Sequence, residues 1–219
     1  MSSPDDARFP ILTPQIGEYI NQLTGPSSPL AERLGAHARE HGFPLIGESS
    51  GRWLEILTRG IGGKRVFEFG SGFGFSAYYF ARAVGPEGEV IGSEFDADEI
   101  EDFKRLFAND SIGERIRILQ GSAVDVFNAT TGMFDAVLID IDKEDYIDAL
   151  HASIPRVRPG GLIMADNVLW GGLTAQDAAK DDTATQTLQE FNKLIFSDPR
   201  LLTGILPCGD GLSVSLVLP

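Results

Sequence analysis

The chain has 219 residues, 42% of them hydrophobic, enough for one sizeable core and so a single domain over 1–219. Its net charge of -14, from 32 acids against 18 bases, discourages binding to nucleic acid or to an anionic membrane. No run of about 18 apolar residues marks a membrane span, the opening MSSPDDARFP lacks the apolar stretch of a secretory signal, and the single Cys208 excludes an internal disulfide and a cysteine-based zinc site, so a cytoplasmic enzyme is the expectation.

Residues 1–10 read as a loose tail and residues 11–60 as a region of N-terminal helices. Within it, PLAERLGAHAREHG has helical spacing and stops at a glycine, as helices often do. ESSGRWLEILTRG, residues 48–60, offers Ser49 or Ser50 as a cap ahead of apolar Trp53, Leu54, Ile56 and Leu57. From residue 64 to 219 strands and helices alternate. KRVFEF predicts a strand and FSAYYFARAVG a helix. GEVIGSE predicts a strand and DADEIEDFKRLFAND a helix whose first-turn acids suit the helix dipole. RIRILQ is a strand followed by a short helical piece at SAVDVFNA. FDAVLID is a strand and EDYIDALHASIPRV a helix; GGLIMAD is a strand and TATQTLQEFNKLIF a helix. LLTGILPC and GLSVSLVLP are separated only by a glycine-bearing turn, which predicts an antiparallel pair and brings the total to seven strands. The pattern is that of an α/β, Rossmann-like fold: a seven-stranded, mostly parallel sheet with helices on both faces. Ligands of such sheets sit at the C-terminal ends of the strands, so the strand ends supply the candidate residues.

The first strand runs into EFGSGFGFS. Gly70, Gly72 and Gly74 allow tight turning and close approach of backbone to a ligand. The dinucleotide fingerprint G-x-G-x-x-G would need glycine where Phe75 stands, which weakens a nicotinamide or flavin reading. Glu68, inside the apolar strand, is costly without a partner; the amino group of S-adenosylmethionine is one. Glu94 ends the second strand, where an acid can accept hydrogen bonds from both ribose hydroxyls. GSA, residues 121–123, follows the third strand and is placed to line an adenine pocket. Asp140 ends the fourth strand and Asp166-Asn167 the fifth, and neighbouring strand ends can bring these oxygens together around a hard cation such as Mg²⁺. On spacing alone they can equally be turn residues. None of His37, His41 and His151 sits at these strand ends, against a histidine-held zinc or iron. Lys143 falls where a helix should begin, an unfavourable place for a cation unless nearby acids or a reacting hydroxyl need it. A surface lysine paired with Glu144 or Asp142 is the plain alternative.

Taken together, GRWLEILTRGIGGKRVFEFGSGFGFSA, FDAVLIDIDKEDY, PGGLIMADNVLWGG and LPCGDGLSVS, in that order and spacing, resemble the cation-dependent class I O-methyltransferases, the group containing catechol and caffeoyl-CoA O-methyltransferases. The resemblance runs from about residue 44 to the C-terminus. It implies a seven-stranded sheet with the last strand antiparallel. Asp140, Asp166 and Asn167 would be the metal ligands (Mg²⁺, or another divalent cation such as Mn²⁺ or Ca²⁺), and Lys143 the general base. Glu68, Gly70, Ser76, Glu94, Ala123 and Asp142 match cofactor positions for S-adenosyl-L-methionine, and Asp210 a position near the acceptor substrate. The implied reaction is methyl transfer to one hydroxyl of a small vicinal-dihydroxy aromatic, and the resemblance allows a homodimer. The chain departs from the family in its glycine loop, in PLIGESSG, and in the acidic, polar stretch 170–186, so acceptor identity does not carry over.

Three rivals are kept in view. A hydroxyuridine O-methyltransferase acting on tRNA shares the fold group, and the charge of -14 speaks against it. A non-catalytic module binding the same cofactor is opposed by the joint presence of Asp140, Lys143, Asp166 and Asn167. A nicotinamide oxidoreductase is disfavoured by Phe75. Five lysines against thirteen arginines, with abundant Asp and Glu, is also a composition found in proteins of salt-loving cells.

Overall fold

A computed structural model describes residues 11–219 of the chain; the tail expected at residues 1–10 lies outside the described residues. The strands are β1 Arg65–Phe69, β2 Glu89–Glu94, β3 Ile116–Gln120, β4 Phe134–Ile139, β5 Val157–Ala165, β6 Leu201–Leu206 and β7 Leu212–Val217. They form one sheet in the order β3-β2-β1-β4-β5-β7-β6. β1 to β5 run parallel to one another, and β7 is antiparallel to both β5 and β6. The expected antiparallel pair is therefore present, and the final strand lies inside the sheet with β6 at its edge. β1 is flanked by β2 on one side and β4 on the other, which makes the space beyond its C-terminal end the switch point of the topology.

Eight helices complete the described fold: α1 Pro14–Thr24, α2 Pro29–His41, α3 Gly47–Gly60, α4 Phe75–Val84, α5 Ala97–Phe107, α6 Ala123–Ala129, α7 Tyr146–Ser153 and α8 Thr183–Ser197. Their ends follow from local chemistry. The Ser28 hydroxyl accepts from the Ala31 amide and Pro29 opens α2, while Gly42 closes it at φ 66°. Asp96 and Asp182 cap α5 and α8 in the same way. The helix expected over residues 144–157 is broken into three pieces: a 3₁₀ turn at Lys143–Asp145, then α7, then a second 3₁₀ turn at Ile154–Arg156. Pro155 has no amide hydrogen to continue the ladder, so the helix closes ahead of it and Val157 already belongs to β5.

Strand residues alternate between two cores. Val66, Ala136, Leu138, Leu162 and Met164 face α2, α3 and α4, whereas Phe67, Phe69, Val137, Ile139 and Ile163 face α6, α7 and α8. The period of two puts Glu68 on the Val66 side, beneath α4, where it is wholly buried. Among the described residues no helix is long and apolar enough to cross a membrane.

Candidate active site

Hydrogen bonds between chain segments extend past the strands and fix the rim of the C-terminal edge. The Asp140 amide donates to the Phe69 carbonyl, the Asp166 amide to Ile139, the Ser71 amide to Ser93 and the Gly121 amide to Glu94. These ties hold five strand ends around one cavity of about 930 Å³. Of the candidates, Gly70, Ser76, Glu94, Ala123, Asp140, Asp142, Lys143, Asp166, Asn167 and Asp210 all line it. Glu68 does not; it is set back under the glycine loop.

The loop's geometry explains its glycines. Gly70 sits at φ 77°, and a Cβ there would lie 2.1 Å from the Asp140 carbonyl oxygen, so only glycine lets β1 and β4 end side by side. Gly74, at φ 92°, turns the chain into α4. Glu94 braces this loop. Its Oε2 accepts from the Gly72 amide at 2.8 Å and its Oε1 from the Asp96 amide at 2.8 Å. Each oxygen keeps a lone pair for a further donor such as a hydroxyl. Glu68 lacks such support: both carboxylate oxygens are buried without a hydrogen-bond partner. Burial pushes its pKa up to about 7; the Ser76 and Ser71 hydroxyls ease the charge, and Asp140 and Glu94 oppose it.

The other end of the cavity carries the charge. Lys143 leaves the 3₁₀ turn with its side chain 11% exposed and donates to three acceptors: the Ile141 carbonyl at 2.9 Å, Asn167 Oδ1 at 2.8 Å and the Tyr146 hydroxyl at 3.0 Å. Its Nζ is 3.8 Å from Asp140 Oδ1. Burial pulls the Lys143 pKa down, and Asp140, Asp166, Asp142 and Asp210 pull back without restoring it. Burial raises Asp140, with Lys143 opposing, and raises Asp166 well above the carboxylate range, with Asp140 adding to the rise. Asp166 Oδ1 is buried with no partner, while Oδ2 accepts from Asn167 Nδ2 at 3.1 Å. Asn167 and Trp170 both have positive φ, 54° and 49°, so the turn after β5 holds two non-glycine residues in the left-handed region. The Gly171 amide is tied to Asp210 Oδ1 at 2.5 Å.

A buried carboxylate, a partly exposed one and an amide oxygen, short of positive charge, are the donor chemistry of a hard divalent cation. The orphaned Asp166 Oδ1 is the particular observation that fits one. Among the described residues no group of three or more His, Cys, Asp and Glu is placed to hold a metal, so the third protein donor here would have to be Asn167.

The cavity also gathers residues that the strand ends did not announce. Phe43, Pro44, Leu45 and Ile46 reach it from the α2–α3 connection, and Phe95 and Trp170 line it from the turns after β2 and β5. Tyr146, fully buried, joins Lys143 to the Asp166 carbonyl, to which its hydroxyl donates at 3.0 Å. Glu144 and Asp145, at the rim of the cavity, are exposed.

The sequence profile of the O-methyltransferase family matches residues 31–218. A catechol O-methyltransferase of Mycobacterium tuberculosis is 30% identical over 210 residues, covering 93% of this chain and 96% of that one. A caffeoyl-CoA O-methyltransferase of Petroselinum crispum is 30% identical over 190 residues, covering 80% and 78%. Among solved structures, an O-methyltransferase from Bacillus cereus in complex with SAH superposes with a TM-score of 0.82 at 21% identity, covering 93% of this chain and 97% of that one, a likeness of fold.

Proposed function

This chain belongs to the O-methyltransferase family, and from that premise we propose that it moves the methyl group of S-adenosylmethionine to one hydroxyl of a small catechol-type acceptor, with a divalent cation held at Asp140, Asp166 and Asn167. One observation supports this reading above the others. Asp140, Lys143, Asp166 and Asn167 meet at a single end of the cavity, and a buried oxygen of Asp166 lacks a partner there.

The cofactor would lie along the other end. Its ribose hydroxyls suit the free lone pairs of Glu94, its adenine the Ala123 side, and its amino group the unsatisfied Glu68 carboxylate behind Gly70 and Ser76. Asp142, exposed beside the cavity, completes that flank. A divalent cation held by Asp140, Asp166 and Asn167 would supply Lewis acidity at this end, making an acceptor hydroxyl more acidic. Lys143, its amine made less basic by burial, takes the hydroxyl proton. The oxygen then forms a bond to the methyl carbon as the carbon–sulfur bond breaks, leaving S-adenosylhomocysteine and the proton on Lys143. Trp170 and Asp210 border the acceptor end. Holding both reactants in one cavity contributes the orientation on which such transfers depend.

The test is transfer of labelled methyl to a panel of catechols, with Mg²⁺ and with EDTA. Transfer in Mg²⁺ and loss in EDTA are expected. Full activity in EDTA removes the cation from the reading, and no transfer to any catechol removes the acceptor class.

A further inference from the structure

We propose that Tyr146 is a positioning residue for the transfer: its hydroxyl fixes the direction in which the Lys143 amine faces the acceptor. The inference rests on the functional reading above and adds a residue to it.

The geometry assigns every proton in this contact. A lysine ammonium has three donors and no acceptor. Here the three are spent on the Ile141 carbonyl, Asn167 Oδ1 and Tyr146 Oη, at 2.8 to 3.0 Å. The Tyr146 hydroxyl has one hydrogen, and it goes to the Asp166 carbonyl at 3.0 Å, which can only accept. Its oxygen therefore offers Lys143 a lone pair, so the polarity of the Lys143–Tyr146 contact is set by the main chain of Asp166. Tyr146 is itself immobile. It is 0% exposed, it opens α7, and its ring packs edge-on against Phe191 of α8 at 5.3 Å.

Of the three acceptors, Tyr146 is outside the cavity lining, whereas Asn167 lines it. With two N–H bonds anchored on Ile141 and Tyr146, the third direction of the nitrogen points at Asn167, on the side where the candidate donor oxygens stand. The hydrogen bond to the Asp166 carbonyl fixes which way the Tyr146 lone pair faces, and so which way the amine is held. Without it, the butyl chain of Lys143 has rotamers available in which the nitrogen lies an ångström or more from its working position, and a displacement of that size can cost about 10²-fold in rate.

Tyr146→Phe keeps the ring and deletes only the hydroxyl. Its kcat should fall about 10- to 100-fold while acceptor KM and cofactor Kd stay within about twofold. In a Lys143→Ala background the same change should cost nothing more, because the hydroxyl then has no amine to position. A readout independent of turnover is the NMR signal of the Lys143 ammonium in the cofactor-free protein, one of only five lysines and assigned by its loss in Lys143→Ala. Its proton exchange should quicken about tenfold or more in Tyr146→Phe, since one of its three hydrogen bonds is gone. Phe134→Leu, a change in the buried core at the opposite end of β4 from Asp140, should lower Tm and leave kcat and the ammonium signal unchanged. Wild-type kcat in Tyr146→Phe, penalties that multiply in the double variant, or an unaltered ammonium signal would each overturn the proposal. Absence of methyl transfer by the wild type, or wild-type turnover in Lys143→Ala, would instead strike the functional reading.

Discussion

At the β1–β2 end of the cavity the groups that face the ligand space are largely held by backbone: Glu94 already accepts from the Gly72 and Asp96 amides, and the glycine loop is shaped by positive φ angles. At the β4–β5 end they are held by side chains, and they are not all satisfied: Asp166 Oδ1 is buried alone, and Asp140 and Asp166 share one nearby lysine. A site finished in backbone is preformed and binds without rearrangement. A site with crowded carboxylates is electrostatically incomplete until positive charge arrives. The cofactor end and the reacting end should therefore fail separately.

The largest expected effect tests that separation. Asp140→Ala should lower kcat by about 10³-fold or more, since a cation held there, as proposed, would be worth several kcal/mol of barrier, while cofactor Kd moves by no more than about threefold. Kinetics and calorimetric titration of one preparation decide it. A parallel loss of cofactor affinity would show that the two ends are one unit. Gly70→Ala is aimed at the seam, where the new Cβ meets the Asp140 carbonyl at 2.1 Å and the backbone is at φ 77°. Overpacking and left-handed strain together should cost about 2–4 kcal/mol, a fall in Tm of roughly 5–15 °C, with cofactor affinity reduced about tenfold or more. An unshifted melt would mean that β1 and β4 can part here, and that the seam is softer than its hydrogen bonds imply.

The same contrast governs what could be read from the sequence. Strand ends were legible because apolar runs stop abruptly at an acid, as VLID does at Asp140 and LIMAD at Asp166. Periodicity then places those acids on one edge, and the seven-strand pattern follows from the alternation. The inward placement of the final strand could not be read, because a tight turn between β6 and β7 fixes their pairing but leaves open which of them meets β5. Tyr146 carried no signal of its own: an aromatic at a helix start is ordinary core. Its link to Lys143 and Asp166 exists only once β4 and β5 lie side by side. Phe43 to Ile46 were equally silent, since a loop between helices reaches the cavity only through tertiary packing. The split of the 144–157 helix was legible in principle from Pro155.

Glu68 belongs by position to the cofactor end but behaves like the other, and it gives the smallest effect with the clearest sign. Its carboxyl is wholly buried, with a pKa of about 7 in the fold against an ordinary 4.5. A raised carboxyl pKa means that the folded state holds its proton longer than the unfolded one. Below about pH 4.5 both states are protonated and the group costs nothing. As pH rises, the unfolded chain ionises first, and the stability tied to the proton is lost up to and through pH 7, about 3 kcal/mol in all. Glu68→Gln cannot ionise, so the cofactor-free variant should match the wild type near pH 5 and exceed it at pH 8 by an amount of that order. Cofactor affinity should run the opposite way, reduced about tenfold in the variant at pH 8 and little at pH 5.5, because only ionised Glu68 attracts an ammonium. Denaturant melts and titrations at the two pH values measure both. A wild type whose cofactor-free stability is flat across this range would mean that Glu68 already has a partner, and that the cofactor end is preformed down to its deepest carboxylate.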